Sequence, residues 1–517
     1  MKNHLSVVKW WHLLLFFTIA KLVLHLVTNG LWSFHRDALL YLALGRNLDW
    51  GYASVPPSIA AFAWFGSEVL GGSVEAVRLI PSLFSTFTLA LTMLMAREMT
   101  GGRFAMLVTG LACLLSPAYL RPGMLFQPVV FDIFYWTLFS FLWVKYLNTA
   151  KNRYLLWLGA AFGLGLLNKY SALFFLAGLL PGLLFTKHRQ LFFNKKFYLA
   201  GGLAFLIFLP NLIWQVSHGF PVARHMEELA RTQFVHVSVG GFLLDQVFQN
   251  LPALPLWVAG LLFLLFEKNG RPWRMMGWMY LAVVILLLAL SGKSYYTLGA
   301  YPVLIAAGAS YLEKLTEPSG RQWLRYVVCA GILIVGLPLL PVSLPVFKPE
   351  KEVRYLDRLA GFMGTDAARR WEDGNYYPLP QDFADMLGWE ELADIVGEAW
   401  QKLPDKETAL IYAENYGQAG AIEHFGKGFG IPKVISFSDS YRYWLPDKLP
   451  ANLSAFLYVN DELGEDMPGY FGEIQKIGEV TTQYARERGT EVYLCREPTP
   501  AFFKRIETAT ARLKRPQ

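Results

Sequence analysis

An α-helical polytopic membrane protein followed by a small α/β domain is the fold class this 517-residue sequence predicts. Three observations predict it. Apolar residues crowd ahead of Val346 in runs near the roughly 20 residues that cross a hydrocarbon core. Only 12 of the 40 acidic residues lie in that part, which leaves 28 in the tail from Phe347 onward. Lys and Arg collect in alternate short loops between the apolar runs, the pattern that orients a membrane chain.

About eleven spans are expected, near 7–28, 77–96, 104–120, 125–144, 154–168, 170–186, 197–216, 248–266, 275–291, 297–313 and 325–346. The first apolar segment is long and no small-residue cleavage site follows it, so it reads as a span and not a cleaved signal. With the N-terminus and its Lys2 and Lys9 in the cytoplasm, the inner loops hold 17 basic residues and the outer loops about eight. An odd number of spans then places the tail outside. The expected location is the cell (inner or plasma) membrane, multi-pass.

This gives a membrane domain over 1–346, a charged connector over 347–375 and an outer α/β domain over 376–517. The first outer loop, 31–75, is long and polar. Its stretch 37–48 has apolar residues at helical spacing and is expected to lie in the interface plane as an amphipathic helix. A second such helix fits 57–70. In the tail, strands are expected at 409–412, 433–436, 454–459 and 491–495, with helices at 382–401 and 417–425.

Composition narrows the function classes. The apolar fraction is 54% and the mean hydropathy +0.31, and the excess is unevenly spread. The net charge of +7 comes mostly from the short loops, so it is a topology signal and not a nucleic-acid footprint. Cys113, Cys329 and Cys495 are far apart and form no metal spacing or disulfide framework. No metal-ligand cluster and no nucleophile elbow occurs, and whether a divalent metal takes part stays open.

The scarcity of acids makes each one informative, because a carboxylate in hydrocarbon costs several kcal/mol. Asp37 falls where the chain leaves the first span, in His35-Arg36-Asp37-Ala38-Leu39-Leu40-Tyr41. It reads either as a catalytic acid or as the cap of the helix that follows. Asp132 sits one to two turns inside the outer end of a span, either as a functional group or as a hydrogen-bonded tie between helices. Lys169 and Lys293 lie at outer helix ends beside Tyr170, Tyr295 and Tyr296. They suit an anionic headgroup, or simply snorkel to the interface. The tail segment Tyr412-Ala-Glu-Asn-Tyr416-Gly417-Gln-Ala-Gly420 has the outline of a phosphate-binding turn but lacks its full glycine pattern, so its glycines read as structural.

Taken in order, these motifs resemble the GT-C class of glycosyltransferases, in the superfamily of protein O-mannosyltransferases and lipid A aminoarabinose transferases. The matching residues are Asp37-Ala38-Leu39-Leu40-Tyr41, then Gly51-Tyr52-Ala53-Ser54-Val55-Pro56-Pro57, then Gly165 through Lys169-Tyr170. Leu209-Pro210-Asn211, Trp214-Gln215, Ser217-His218-Gly219 and Lys293-Ser294-Tyr295-Tyr296 complete the series. The resemblance implies a GT-C-like fold, a polyprenyl-phosphate sugar donor, an acceptor of unstated kind (lipid, glycan or protein), and transfer at the outer face with inversion. It implies Asp37 as the catalytic acid or base. The Glu that often follows is Ala38 here. The second acid of the family falls at Val129 by distance from Trp136, so Asp132, one turn later, is the candidate to replace it. Val55 stands where some relatives carry Lys, His or Gln. Contact with the donor phosphate then falls to Lys169, Lys293, Arg36 or Arg78, with Tyr52 and Tyr296 as further candidates.

The chemistry agrees with the bare residues. Transfer needs a base within reach of the acceptor hydroxyl, cations for the charge growing on the departing phosphate, and membrane lipids around an apolar carrier tail. Two other readings stand beside it: a transporter or flippase of a lipid-linked sugar, and a ligase or polymerase that uses a lipid pyrophosphate. Transporters usually show internal repeats and broken helices near the midplane, and the sequence shows neither clearly.

Overall fold

A computed structural model describes residues 9–446 and 448–514. Lys2, residues 7 and 8 of the first expected span, and 515–517 of the expected tail domain lie outside the described residues. The chain divides into two compact units. One comprises Met1–Gly30, Val77–Trp214 and Met226–Lys348, and the other Leu31–Ala76, Gln215–His225 and Pro349–Gln517. The first loop thus groups with the tail.

The first unit is helical. Among the described residues, six helices are long and apolar enough to cross a membrane: Trp10–Thr28, Val74–Glu98, Pro128–Thr149, Lys195–Ser217, Arg271–Ala289 and Ser319–Ser343. Two bent pairs raise the number to eight. Arg103–Leu115 meets Pro117–Met124 at 53°, and Val239–Phe248 meets Leu251–Phe266 at 71°. The first bend has a local cause. Ser116 is extended, with φ −78° and ψ 130°, as a residue before proline prefers, and Pro117 then starts a new helix. The other three expected spans correspond to Arg153–Asn168, Ala172–Leu184 and Tyr301–Leu315, of 16, 13 and 15 residues. At about 1.5 Å per residue they fall short of the roughly 30 Å hydrocarbon core.

Glycine sets how closely these helices pack. A Cβ at Gly308 would overlap the Leu256 carbonyl oxygen, and one at Gly260 the Leu304 carbonyl oxygen. Helices Leu254–Phe266 and Tyr301–Leu315 therefore cross backbone to backbone. Gly159 and Gly163 do the same for Arg153–Asn168 against Ala200 and Ala204 of Lys195–Ser217. Small residues at helix crossings are the usual device where lipid removes the hydrophobic drive to pack.

The second unit holds a four-stranded sheet in the order β1-β2-β4-β3. Its strands are β1 (Ala409–Ala413), β2 (Ala455–Asn460), β3 (Phe471–Glu479) and β4 (Glu491–Pro498). β1 pairs parallel with β2, while β4 pairs antiparallel with β2 and β3. β2 is buried along nearly its whole length, as a strand covered on both faces should be. On one face Phe456, Phe471 and Phe502 pack together, Phe502 coming from the helix Pro500–Lys514.

Two tail expectations change and one strand is added. The stretch 433–436 makes a single bridge, Ile435 to Tyr412, and no strand. Ser436 then turns away, its amide neighbour Ser438 bonding back to the Ser436 hydroxyl at 3.2 Å. β3 went unforeseen because Glu473, Gln475, Lys476 and Glu479 hide its alternation, and charges suit an edge strand. The helix expected over 382–401 is two, Gln381–Ala384 and Trp389–Gln401, parted at Gly388, whose φ of +86° favours glycine.

The helices of the first loop are Arg36–Arg46 and Ser58–Trp64, the latter running into a π-helical turn over Phe65–Val69. The helix expected as amphipathic is enclosed by protein along its length. Ala38 through Gly45 are all buried. The reason is packing: this helix lies against Ser58–Trp64 and against Tyr416–Phe425 of the tail. Gly420 lets the second approach occur, since a Cβ there would stand 2.8 Å from the Leu39 carbonyl.

Adding a methyl at Gly308 is expected to destabilise the folded chain by about 1–3 kcal/mol, the usual cost of overpacking. Thermal unfolding of Gly308→Ala in detergent checks this against Gly331→Ala, whose added Cβ meets nothing within 4 Å. Only the first should melt earlier.

Candidate functional site

The site residues fall into two clusters, one in each unit. In the second unit, His35 starts the helix Arg36–Arg46. Its backbone is extended (φ −70°, ψ 147°), and its Nδ1 accepts the Asp37 amide at 3.1 Å. The cap is therefore His35, and the reading of Asp37 as the cap is set aside. Asp37 lies half-buried in the first turn, where exposed amides and the helix dipole favour a carboxylate. Its Oδ1 accepts the Tyr416 hydroxyl at 2.8 Å. The Arg36 guanidinium lies 4.7 Å from the centroid of the same Tyr416 ring, in cation–π range.

The tail meets this segment at more points. The Arg36 amide donates to the Asp385 carbonyl at 3.0 Å. His35 Nε2 stands 3.6 Å from both Asp382 and Asp385, and Arg486 pairs with Asp385 at 3.2 Å. Burial opposes charge on His35. The close approach of Asp382 and the fields of Asp37 and Asp385 outweigh it and raise the imidazole above its ordinary 6.5. Burial and the Asp37 charge push the Tyr416 phenol well above its ordinary range, so it stays protonated and donates.

In the helical unit, Asp132 is buried in the second turn of Pro128–Thr149 and is the electrostatic partner of Lys169, which follows the helix Arg153–Asn168. Lys169 Nζ sits 4.5 Å from the Tyr296 ring centroid and 5.1 Å from that of Tyr295. Lys293 Nζ lies 5.8 Å from the Tyr295 centroid. Two cations from separate motifs thus meet at the Tyr295 ring, and the Asp132 carboxylate acts on Lys169. Asn168 Nδ2 donates to the Pro128 carbonyl at 3.1 Å, and Tyr170 to Asn211 at 2.8 Å, so the motifs at 165–170 and 209–211 also meet.

The turn that carries Lys293 and both tyrosines is held by residues the sequence reading did not single out. Ser294 donates to Asp245 at 2.7 Å and accepts from Gln249 at 2.9 Å. Thr297 and Tyr301 donate to Gln246 Oε1 at 2.6 and 2.7 Å. The one available signal was the presence of Asp245 among the 12 acids before residue 347. In the second unit Tyr416 and Asp385 were missed as well, because the tail is rich in such residues.

Two other candidates are engaged in architecture. Arg78 is buried and donates to the Asn29 carbonyl at 2.6 Å, fastening the end of the first helix. The Tyr52 hydroxyl accepts the Asp49 amide at 2.8 Å and donates to the Asn47 carbonyl at 3.0 Å, closing the loop on itself. Among the described residues, no group of three or more His, Cys, Asp or Glu side chains could hold a metal ion.

The mostly helical chain, with its membrane-length helices, has the fold of a GT-C glycosyltransferase, ArnT, and one sequence segment similar to that class. Residues 54–214 match the model of the dolichyl-phosphate-mannose-protein mannosyltransferase family. The lipid A galacturonosyltransferase RgtD of Rhizobium johnstonii is 26% identical over 202 residues, covering 38% of this chain and 42% of that one. An uncharacterized protein of Aquifex aeolicus is 27% identical over 272 residues, covering 50% and 53%. The matches thus span about half the length of these relatives or less. Among solved structures, ArnT from Cupriavidus metallidurans has the same fold, with a TM-score of 0.60 and 16% identity over 93% of this chain and 97% of that one. The same protein bound to undecaprenyl phosphate matches at 0.60 and 15% over the same shares.

The raised His35 gives a pH dependence with a definite sign. A raised imidazole contributes stability that is complete below 6.5 and is lost as the pH rises through the higher folded value. Thermal melting of the full chain in detergent, from about pH 6 to pH 8.5, should show Tm falling. In His35→Gln that component should be missing.

Proposed function

We propose that the chain moves a sugar from a polyprenyl-phosphate carrier to an acceptor at the outer face of the membrane, with inversion. The observation that carries the reading is the setting of Asp37. It is a carboxylate in the first turn of a helix, fixed by a neutral donor, in a chain with the ArnT-like fold. A solved ArnT structure is described as bound to undecaprenyl phosphate, and RgtD is named a lipid A galacturonosyltransferase. These support a lipid-phosphate donor here. Domain limits of 1–346, 347–375 and 376–517, about eleven spans, a cytoplasmic N-terminus and an outer tail belong to the same proposal.

Asp37 takes the proton of the acceptor hydroxyl as that oxygen attacks the anomeric carbon. The bond from that carbon to the phosphate oxygen breaks, and its electron pair leaves with the polyprenyl phosphate. Within the helical unit, Lys169 and Lys293 are the cations suited to an anionic headgroup such as a lipid phosphate. Tyr296 and Tyr295 hold Lys169 in place by their ring faces, and Asp132 balances its charge in a poorly solvated setting. Arg36 is held by the Tyr416 ring, while Arg78 and Tyr52 support the scaffold.

The test uses the purified full chain with undecaprenyl-phosphate-linked mannose, galacturonic acid and aminoarabinose, and lipid A or peptide as acceptor. Release of undecaprenyl phosphate is the readout. Asp37→Asn is expected to lose about 100-fold or more in rate while inserting normally. Normal transfer by that variant would end the assignment of Asp37. Lys169→Ala and Lys293→Ala should each weaken undecaprenyl phosphate binding about tenfold. If vesicles flip a donor that the protein never consumes, the transporter reading replaces this one.

A further inference from the structure

We propose that Tyr416 of the tail is a positioning residue for Asp37, setting the orientation of its carboxylate. The inference rests on the reading of Asp37 given above.

Three features argue that Tyr416 is placed for this contact. Its hydroxyl is not needed for its own helix. The helix Tyr416–Phe425 is capped by Asn415, whose side chain accepts the Gly417 and Gln418 amides at 2.9 and 3.0 Å, and Gln418 bonds back to the Asn415 amide at 3.3 Å. The approach to Asp37 depends on two glycines beside it. A Cβ at Gly417 would stand 2.6 Å from Arg36 Cγ, and one at Gly420 2.8 Å from the Leu39 carbonyl. The ring itself is pinned by the Arg36 guanidinium, so the hydroxyl has a fixed direction.

The chemical consequence follows from where the proton sits. The buried phenol donates to the carboxylate, and a donor to the ionised form favours that form. Without it the carboxylate turns more freely about its side-chain torsions. The titratable and charged groups that face Asp37 are His35, Arg36 and Tyr41 from its own segment, and Asp385 and Tyr416 from the tail. Of these, Tyr416 donates directly to Oδ1. The tail would then contribute to the rate of transfer while the membrane helices keep donor binding.

Tyr416→Phe keeps the ring and its contact with Arg36 and removes only the hydroxyl. With whichever undecaprenyl-phosphate sugar of the panel above is consumed, kcat at neutral pH should fall about tenfold. KM for the donor should stay within about twofold. Replacing Tyr416 by 4-fluorophenylalanine, which fills the hydroxyl's volume without donating, should give the same loss and serves if the Phe variant does not fold. An unchanged kcat in either variant, or a loss confined to KM, overturns the role of Tyr416 alone. Full activity of Asp37→Asn removes the role of Asp37 itself, and this inference with it.

Discussion

The second unit depends on one close approach. The helix Arg36–Arg46 and the helix Tyr416–Phe425, nearly four hundred residues apart in the chain, touch closely because Gly420 leaves room for the Leu39 backbone and Gly417 for the Arg36 side chain. That contact buries the first-loop helix all round. A helix so enclosed must have its polar groups paired, and the pairings are visible at both ends. His35 caps the start, and Tyr416 meets Asp37. At the other end Arg46 pairs with Glu423, which also accepts from the Val434 amide at 3.1 Å and from the Tyr441 hydroxyl at 3.2 Å. The placement of the candidate acid is thus a by-product of packing as much as of its own sequence neighbours.

The helical unit applies the same rule to a different end. Glycine against backbone at Gly260 and Gly308 locks one helix pair, and the turn after the preceding helix is then fixed by Asp245, Gln246 and Gln249. That turn carries Lys293, Tyr295 and Tyr296. Lys169 arrives from another loop and rests on the same two rings. Two cations held this close repel each other, and the buried Asp132 attracts Lys169. The arrangement is one that an added anionic group would stabilise.

Much of the architecture was legible in the chain. Helices occupy every position where an apolar run was expected, because span length and hydropathy are local properties. The strands Ala409–Ala413, Ala455–Asn460 and Glu491–Pro498 were equally plain, being short apolar runs bounded by turn residues. Where signals failed, the cause was tertiary. Phe471–Glu479 is an edge strand whose charges mask its period. Gly388 interrupts a run that otherwise has helical spacing.

By itself the sequence determined the kind of molecule, the short list of acids, and Asp37, Lys169 and Lys293 as residues of interest. Scarcity made them conspicuous, since charged groups persist in apolar surroundings only when something holds them. Only the tertiary structure decided that His35 and not Asp37 caps the helix, that the loop helix is enclosed by protein, and that Tyr416 reaches the carboxylate. The physical reason is distance along the chain. Periodicity and composition report on neighbours within a few residues, whereas a hydrogen bond between positions 37 and 416 exists only after two helices have packed through glycine.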